Sequence, residues 1–167
     1  ANGKTVNLTS TYGGADVGNY AITDQATATA NIDKAELTIS GITAANKTYN
    51  GNRDAVVSTA NVVRTGLISG DDLTVTTTGL FNDKNASSTA KTVTLTSTYG
   101  GADARNYTIT DQATTTASIN KAMLTISGIT AANKTYDGTR NATVSTATVV
   151  RSGLVSGDTV TVTATGL

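Results

Sequence analysis

One stretch of the chain, LTISGITAANKTY at residues 37–49, returns without a change at residues 124–136. Working outward from this stretch, residues 1–80 align with residues 88–167 without a gap, and 59 of the 80 pairs are identical. The offset of 87 residues is longer than the roughly 20–50 residues of a solenoid repeat. It is close to the size of a small independent domain. The sequence therefore predicts a tandem array of small domains.

The repeat begins most naturally at Lys34, where an alternating pattern of apolar and polar residues opens. On that phase, residues 1–33 are the C-terminal part of one repeat, residues 34–120 are a complete repeat, and residues 121–167 are the N-terminal part of the next. Because Ala1 falls inside the repeated pattern, we expect the chain to be a segment of a longer protein.

Short runs of alternating apolar and polar residues predict half-buried β-strands. They occur at residues 35–39, 57–63, 73–76, 93–96, 107–109, 113–119 and 160–163. Turn-forming Gly, Asn and Asp residues separate them at 49–52, 69–72, 82–85 and 99–103. About seven short strands per repeat favour an all-β fold of small, Ig-like β-sandwich modules, each about 87 residues long. One short helix is expected at residues 43–47.

The expected core of the complete repeat is small and aliphatic. It comprises Leu37, Ile39, Ile42, Val57, Val63, Leu67, Leu73, Val75, Phe81, Val93, Leu95, Tyr107 and Ile109. Residues 27–40 join two repeats and contain neither Gly nor Pro, so they lack the composition of a flexible linker. We therefore expect short, strand-like junctions between modules.

Composition excludes several classes of function. The chain has 12 Lys plus Arg and 12 Asp plus Glu, so it has none of the basic excess typical of nucleic-acid binding. The absence of His and Cys removes the nucleophile systems that need an imidazole or a thiolate, the corresponding metal sites, and disulfides. No apolar run approaches the roughly 18 residues that span a membrane. We expect no catalytic residues, no cofactor and no enzymatic activity.

Residues 133–139, Asn-Lys-Thr-Tyr-Asp-Gly-Thr, resemble the signature of the YDG repeat domain, and so does the earlier copy at residues 46–51. Further segments resemble the family's pattern in the same order: 67–72, 81–85, 91–93 and 101–107. The chain departs from that pattern at Asn50, where the family has Asp, and at Thr159, which replaces the second Asp of an acidic pair. The resemblance covers the whole chain.

The resemblance implies a secreted bacterial surface protein similar to filamentous haemagglutinins and other adhesins. In such a protein, the repeats extend a functional tip or build a filament outside the cell, and they take part in cell adhesion and biofilm formation. The expected partners are neighbouring repeats of the same chain and like chains in a fibre. The family brings no catalytic residues that could be transferred to this sequence.

Two groups of residues are candidate binding sites. The turn at residues 136–138 suits either a ligand-contacting loop or a tight turn, in which Asp137 bonds the backbone and Tyr136 packs on its own module. Asp71, Asp72 and Asp83 offer oxygen ligands for Ca²⁺, but their spacing matches no known calcium loop. We favour a tight turn at residues 136–138, and we expect no metal site at the three aspartates.

Two functional hypotheses remain open. The first is a structural stalk or fibre. The second is a multivalent module that recognises a glycan, a matrix polymer or like copies on neighbouring cells. Differences between the copies, such as Glu36 against Met123, change charges that a binding loop would keep, which favours the stalk. Residues 121–167 and 1–33 together make 80 of the 87 positions of a repeat, which leaves open that two neighbouring chains complete a repeat between them by strand complementation.

Overall fold

The computed structural model describes residues 2–167, and nearly all of their regular structure is β-strand. The strands are β1 (Lys4–Asn7), β2 (Thr27–Ala30), β3 (Ala35–Ser40), β4 (Thr43–Ala44), β5 (Lys47–Thr48), β6 (Asp54–Ala55), β7 (Val57–Ser58), β8 (Val63–Thr65), β9 (Thr74–Phe81), β10 (Lys91–Gly100), β11 (Tyr107–Thr110), β12 (Thr114–Ala117), β13 (Ile119–Asn120), β14 (Thr125–Ser127), β15 (Thr130–Ala131), β16 (Val144–Ser145) and β17 (Val150–Ser152). Two 3₁₀ helices of three residues, Val17–Asn19 and Ala104–Asn106, accompany them. The prediction of an all-β chain is confirmed. Among residues 2–167, no helix is long and apolar enough to cross a membrane.

The chain forms two compact units, and each collects segments that are distant in sequence. The first unit contains the described residues 2–40, 62–75 and 98–111. The second contains residues 41–61, 76–97 and 112–167. The chain therefore enters each unit several times, which simple strand alternation does not predict.

The first unit is organised around β3, the central strand of a three-stranded sheet in the order β11-β3-β8. β11 pairs parallel to β3, with Tyr107 opposite Ala35, whereas β8 pairs antiparallel to it. Leu37 and Ile39 point to the buried face of β3. Together with Leu73 and Tyr107 they form the core of this unit, and a separate antiparallel pair joins β1 to β2.

The second unit holds most of a four-stranded sheet in the order β12-β10-β9-β6. Four shorter strand pairs accompany it: β4 with β7, β5 with β13, β14 with β17, and β15 with β16. The pairing of β5 with β13 is parallel, and the other three are antiparallel. The buried hydrophobic residues of this unit are Ile42, Phe81, Val93, Leu95, Ala117 and Ile119.

Packing explains why β9 contains a glycine. A Cβ at Gly79 would lie 2.9 Å from Cγ1 of Val93 and 3.1 Å from Cγ2 of Val57. At the equivalent position 87 residues later, a Cβ at Gly166 would lie 2.9 Å from Cγ2 of Val144. The same tight packing therefore occurs in both copies of the sequence.

Residues 43–47 do not form the predicted helix. They contain β4 and the first residue of β5, and their backbone groups bond to other segments. The N–H of Ala45 donates to the carbonyl of Val56, and the N–H of Lys47 donates to the carbonyl of Ser118, both at 2.9 Å. Helix propensity here is too weak to compete with these pairings, because Asn and Thr favour it little.

Two of the predicted strands are also wrong. Residues 57–63 form two strands, β7 and β8, separated by a turn in which the N–H of Ala60 donates to Oγ of Ser58. β8 places Val63 outward, with 52% of its surface exposed, so its predicted core role fails. Residues 160–163 form no strand, although the earlier copy of this segment lies in β9, which pairs with β10.

The remaining predictions about the core are close to the structure. Val57, Leu67, Val75 and Ile109 are half-buried rather than buried, whereas Ala117 and Ile119 are buried without having been predicted. The predicted turns contain turn or bend residues at 51–52, 69–70, 84–85 and 101–103. The junction after the complete repeat is short, since β13 ends at Asn120 and β14 begins at Thr125.

Candidate functional site

Tyr49 is held at the end of β5 and reaches a residue far along the chain. Its N–H donates to the carbonyl of Asn120 at 2.8 Å, which fixes the backbone beside β13. Its hydroxyl donates to Oδ1 of Asp158 at 3.0 Å, across a sequence separation of 109 residues. A neutral hydroxyl that donates to a carboxylate forms a charge-assisted hydrogen bond, which is stronger than a bond between two neutral groups.

Gly51 brings the turn after Tyr49 against the same distant segment. Its φ of +85° suits glycine, and a Cβ built on it would lie 3.0 Å from Cγ1 of Val155. A larger residue would therefore push the turn away from Val155. The two contacts, Tyr49 with Asp158 and Gly51 with Val155, lie within the second unit.

A lysine supplements this contact weakly. Nζ of Lys84 lies 3.8 Å from Oδ1 of Asp158, with half of the lysine side chain exposed. Exposed ion pairs of this kind contribute little because water and salt screen them. The hydroxyl of Tyr49 is therefore the principal partner of this carboxylate.

The electrostatics keep Tyr49 in its donor form. Its hydrogen bond to Asp158 is the main cause that raises the pKa of Tyr49 above the ordinary value of 10.0, and partial burial adds to it. Lys84 acts in the opposite direction, but the pKa remains raised. At neutral pH the hydroxyl is protonated, as the bond to an ionised carboxylate requires.

An open cavity of about 310 Å³ lies beside this contact. Its wall is mainly aliphatic, with Ala122, Leu124, Leu154 and Val155, and polar groups such as Lys121 stand around it. The volume is at the lower end of small-molecule sites, which are more enclosed than this cavity. The arrangement is suited to packing of protein side chains.

A second tyrosine–aspartate pair occurs in the first unit. The hydroxyl of Tyr107 donates to Oδ2 of Asp71 and accepts from the N–H of Ile68 at 3.0 Å. Burial is the main cause that raises the pKa of Tyr107, followed by the hydrogen bond to Asp71. Asp71 is the equivalent of Asp158 at the 87-residue offset. The same sequence position thus receives a tyrosine hydroxyl in both copies, but from two different tyrosines.

The turn at residues 136–138 is a tight turn, with one departure from expectation. Asp137 accepts from the N–H of Thr139 at 2.9 Å and from Nζ of Lys134 at 2.7 Å, and Gly138 has a φ of +74°. These bonds, Lys134 first, hold the pKa of Asp137 below its usual value. Tyr136, however, is 92% exposed, so the prediction that it packs on its own module is wrong.

The three aspartates considered for Ca²⁺ have protein partners. Asp71 binds Tyr107, Asp72 accepts from the N–H of Ala102 at 3.3 Å, and Asp83 binds Nζ of Lys91 at 2.7 Å. Within residues 2–167, no group of three or more acidic side chains is placed to hold a metal ion.

Sequence reasoning missed the pairing of Tyr49 with Asp158. Tyr49 lies in the segment at residues 46–51 that resembles the family signature, and Asp158 lies in the copy of the segment at residues 67–72, but the sequence pattern does not connect the two segments. A signal was present: both segments recur at the 87-residue offset, so each has a possible partner in an adjacent copy. Only the folded chain shows which partner is used.

Comparison with known proteins identifies the family. The chain matches the YDG domain at residues 33–117 and again at residues 120–167. No curated protein and no solved structure shows significant similarity to it. The two matched segments cover most of the chain and contain the residues of the Tyr49–Asp158 and Tyr107–Asp71 pairs. The chain therefore belongs to the YDG domain family.

Proposed function

We propose that the chain is a structural segment of a stalk or fibre in a secreted bacterial cell-surface adhesin, where it extends a functional tip or builds a filament. Its working units are small β-sandwich modules of the Ig-like kind, arranged in tandem. The role is mechanical, and the neighbouring repeats are the principal partners. The resemblance to tandem surface repeats and the membership of the YDG family support this proposal.

The observation that carries the proposal is the close contact between adjacent sequence copies. Tyr49 and Gly51 precede the junction at residues 121–124, and Val155 and Asp158 follow it. All four residues lie in one compact unit. A four-residue junction reinforced by side-chain contacts resists bending, which is what a load-bearing stalk needs.

Small-angle scattering of chains with two, four and six complete repeats tests the proposal. For a stalk, the maximum dimension should grow linearly, by roughly 33 Å per repeat if each repeat contributes about the length of β10, which has ten residues at about 3.3 Å each. Parallel measurements with Ca²⁺ and with a chelator should agree. Dimensions that grow with the cube root of mass would indicate compact packing and would refute the stalk.

A multivalent binding module is the second candidate, and one observation favours it. Tyr12 and Tyr20, which are 50% and 72% exposed, line an open hollow of about 560 Å³. Exposed tyrosines offer flat apolar faces with a polar tip, which suits sugar rings in a glycan or matrix polymer. A glycan array probed with the wild type and with Tyr20→Ala tests this function, and specific binding lost in the variant would support it.

A further inference from the structure

We propose that the turn at residues 136–138 docks onto a surface of another copy of the same repeat. We call residues Leu67, Ile68 and Asp71 the docking surface, and residues 136–138 the signature turn. The partner is a further copy of this repeat, in the same chain or in a second chain. The inference deepens the proposed stalk and rests on it for its biological meaning.

The first support is an interface of this kind that the chain already contains. The turn around Tyr49 and Gly51 contacts Val155 and Asp158, and Leu154 lines the cavity beside this contact. Leu154, Val155 and Asp158 are the equivalents of Leu67, Ile68 and Asp71 at the 87-residue offset. The signature turn is likewise the equivalent of the turn at residues 49–51. The turn and the surface that it contacts therefore each have an equivalent elsewhere in the chain.

The second support is that a large apolar side chain is exposed on both the docking surface and the signature turn. Val155 is only partly exposed where the turn at Gly51 covers it, whereas Ile68, at the equivalent position, is 57% exposed. Tyr49 is partly buried, whereas Tyr136 is 92% exposed. Burial of a large apolar side chain is favourable, so both surfaces would gain by the contact that their equivalents make.

The third support concerns the oxygens of the aspartate. Asp71 uses Oδ2 to accept from Tyr107 of its own copy, whereas Asp158 uses Oδ1 to accept from Tyr49 of the preceding copy. An ionised carboxylate can accept several hydrogen bonds on its two oxygens. One aspartate can therefore hold both tyrosines at once. In an array, the aspartate of each repeat would accept two hydrogen bonds. One would come from the tyrosine near the end of its own repeat, and the other from the tyrosine in the equivalent turn of the preceding repeat.

The two halves of the contact differ in shape and chemistry, which determines the mode of association. An interface between unlike surfaces is heterologous, and when its rotation does not close a ring it generates an open filament. The same contact that stiffens one chain would therefore also join the C-terminal part of one molecule to another molecule head to tail.

Cysteine cross-linking tests the proposal cleanly, since the natural chain contains no cysteine. In a disulfide, one sulfur lies about 3 Å from the Cβ of the other residue. The ideal Cβ of Gly51 lies 3.0 Å from Cγ1 of Val155, so Gly51→Cys with Val155→Cys should form an internal disulfide. This double variant is the positive control for the geometry.

The test itself mixes two single variants of the full chain, Gly138→Cys and Ile68→Cys, at high protein concentration in a thiol redox buffer. Gly138 has nothing within 4 Å of an added Cβ, and Thr139→Cys replaces it if the positive φ weakens the turn. The matched control mixes Ile68→Cys with Val56→Cys, which presents an exposed cysteine that belongs neither to the docking surface nor to the signature turn. Mass spectrometry follows the mixed disulfides.

We expect the Gly138→Cys and Ile68→Cys pair to cross-link about ten-fold faster than the control pair. Adding Tyr136→Phe should slow it severalfold, because only the hydrogen bond to Asp71 is lost. Equal rates for the test and control pairs would overturn the docking proposal, even if scattering of longer arrays supports a stalk. Conversely, fast cross-linking with compact arrays would keep the docking contact and reject the stalk.

Discussion

Gly66, which follows β8, is a position where one added methyl group should strongly destabilise the repeat. Its φ is +97°, and an ideal Cβ would lie 2.3 Å from the carbonyl oxygen of Glu36 in β3. Neither atom can rotate away, because the carbonyl oxygen belongs to the backbone and the backbone geometry of residue 66 fixes the position of its Cβ. Gly66→Ala must therefore displace the segment that leads into Leu67 and Ile68, or else deform the central strand of the first unit.

The chain offers a matched control for this change. Gly70 has nearly the same φ, +96°, but nothing lies within 4 Å of its ideal Cβ. Alanine at either position must adopt a positive φ, which lowers the free energy of unfolding by about 1–2 kcal/mol. Only Gly66→Ala adds steric overlap with backbone, for which overpacking data suggest about 1–3 kcal/mol more. We expect losses of about 1–2 kcal/mol for Gly70→Ala and about 2–5 kcal/mol for Gly66→Ala.

Urea unfolding followed by circular dichroism measures both losses, with the midpoint compared at a constant slope. The difference between the two variants isolates the steric contribution from the conformational one. Equal losses would refute the reasoning, since they would mean that the close approach to Glu36 carries no constraint. Gly153→Ala provides a repetition in the other copy, because its Cβ would lie 2.4 Å from the carbonyl oxygen of Met123.

Three further predictions concern packing, the tyrosine contact and acid stability. Phe81 is fully buried, so Phe81→Ala should cost about 3–5 kcal/mol in urea unfolding, and a loss below that of Gly70→Ala would contradict its place in the core. Tyr49→Phe should speed amide hydrogen exchange in residues 121–167 severalfold, because it removes the hydrogen bond to Asp158, whereas Tyr136→Phe should not, because the Tyr136 side chain is 92% exposed. The bond from Lys91 holds the pKa of Asp83 below 3.8, so the stability it contributes is complete above that value and is lost as the pH falls through the lowered pKa. An acid titration of Lys91→Met should lack this loss, and an unchanged titration would rule out the ion pair as its cause.

The sequence predicts a strand well where apolar and polar side chains alternate along it, because this alternation distinguishes the buried face of the strand from the exposed face. Alternation at residues 35–39 predicts β3, which extends from Ala35 to Ser40 with Leu37 and Ile39 buried. Glycines and asparagines likewise mark the turns. These features depend on the immediate neighbours of each residue, which a sequence pattern contains.

Features that depend on distant partners are those that the sequence does not predict. The parallel pairing of β11 with β3 joins segments about seventy residues apart, and no local pattern distinguishes it from an antiparallel pair. Residues 43–47 contain strand β4 and the first residue of β5 rather than a helix, because the carbonyls of the distant residues Val56 and Ser118 accept their N–H groups. Alternation at residues 160–163 produces no strand, whereas the equivalent residues 73–76 contribute to β9, which pairs with β10. In each case the missing information is the identity of the partner.

The same distinction explains why the tyrosine contact could not be read from the residues that make it. Gly66 and Gly153 meet the same backbone neighbour at nearly the same distance, so this contact belongs within one copy and repeats with it. Tyr49 and Tyr136 are also equivalents, yet one is partly buried and the other almost fully exposed. The separation of 109 residues between Tyr49 and Asp158 exceeds the 87-residue offset. No single copy can therefore contain that contact, and a motif that looks like an isolated turn acquires a partner only when the following copy folds beside it.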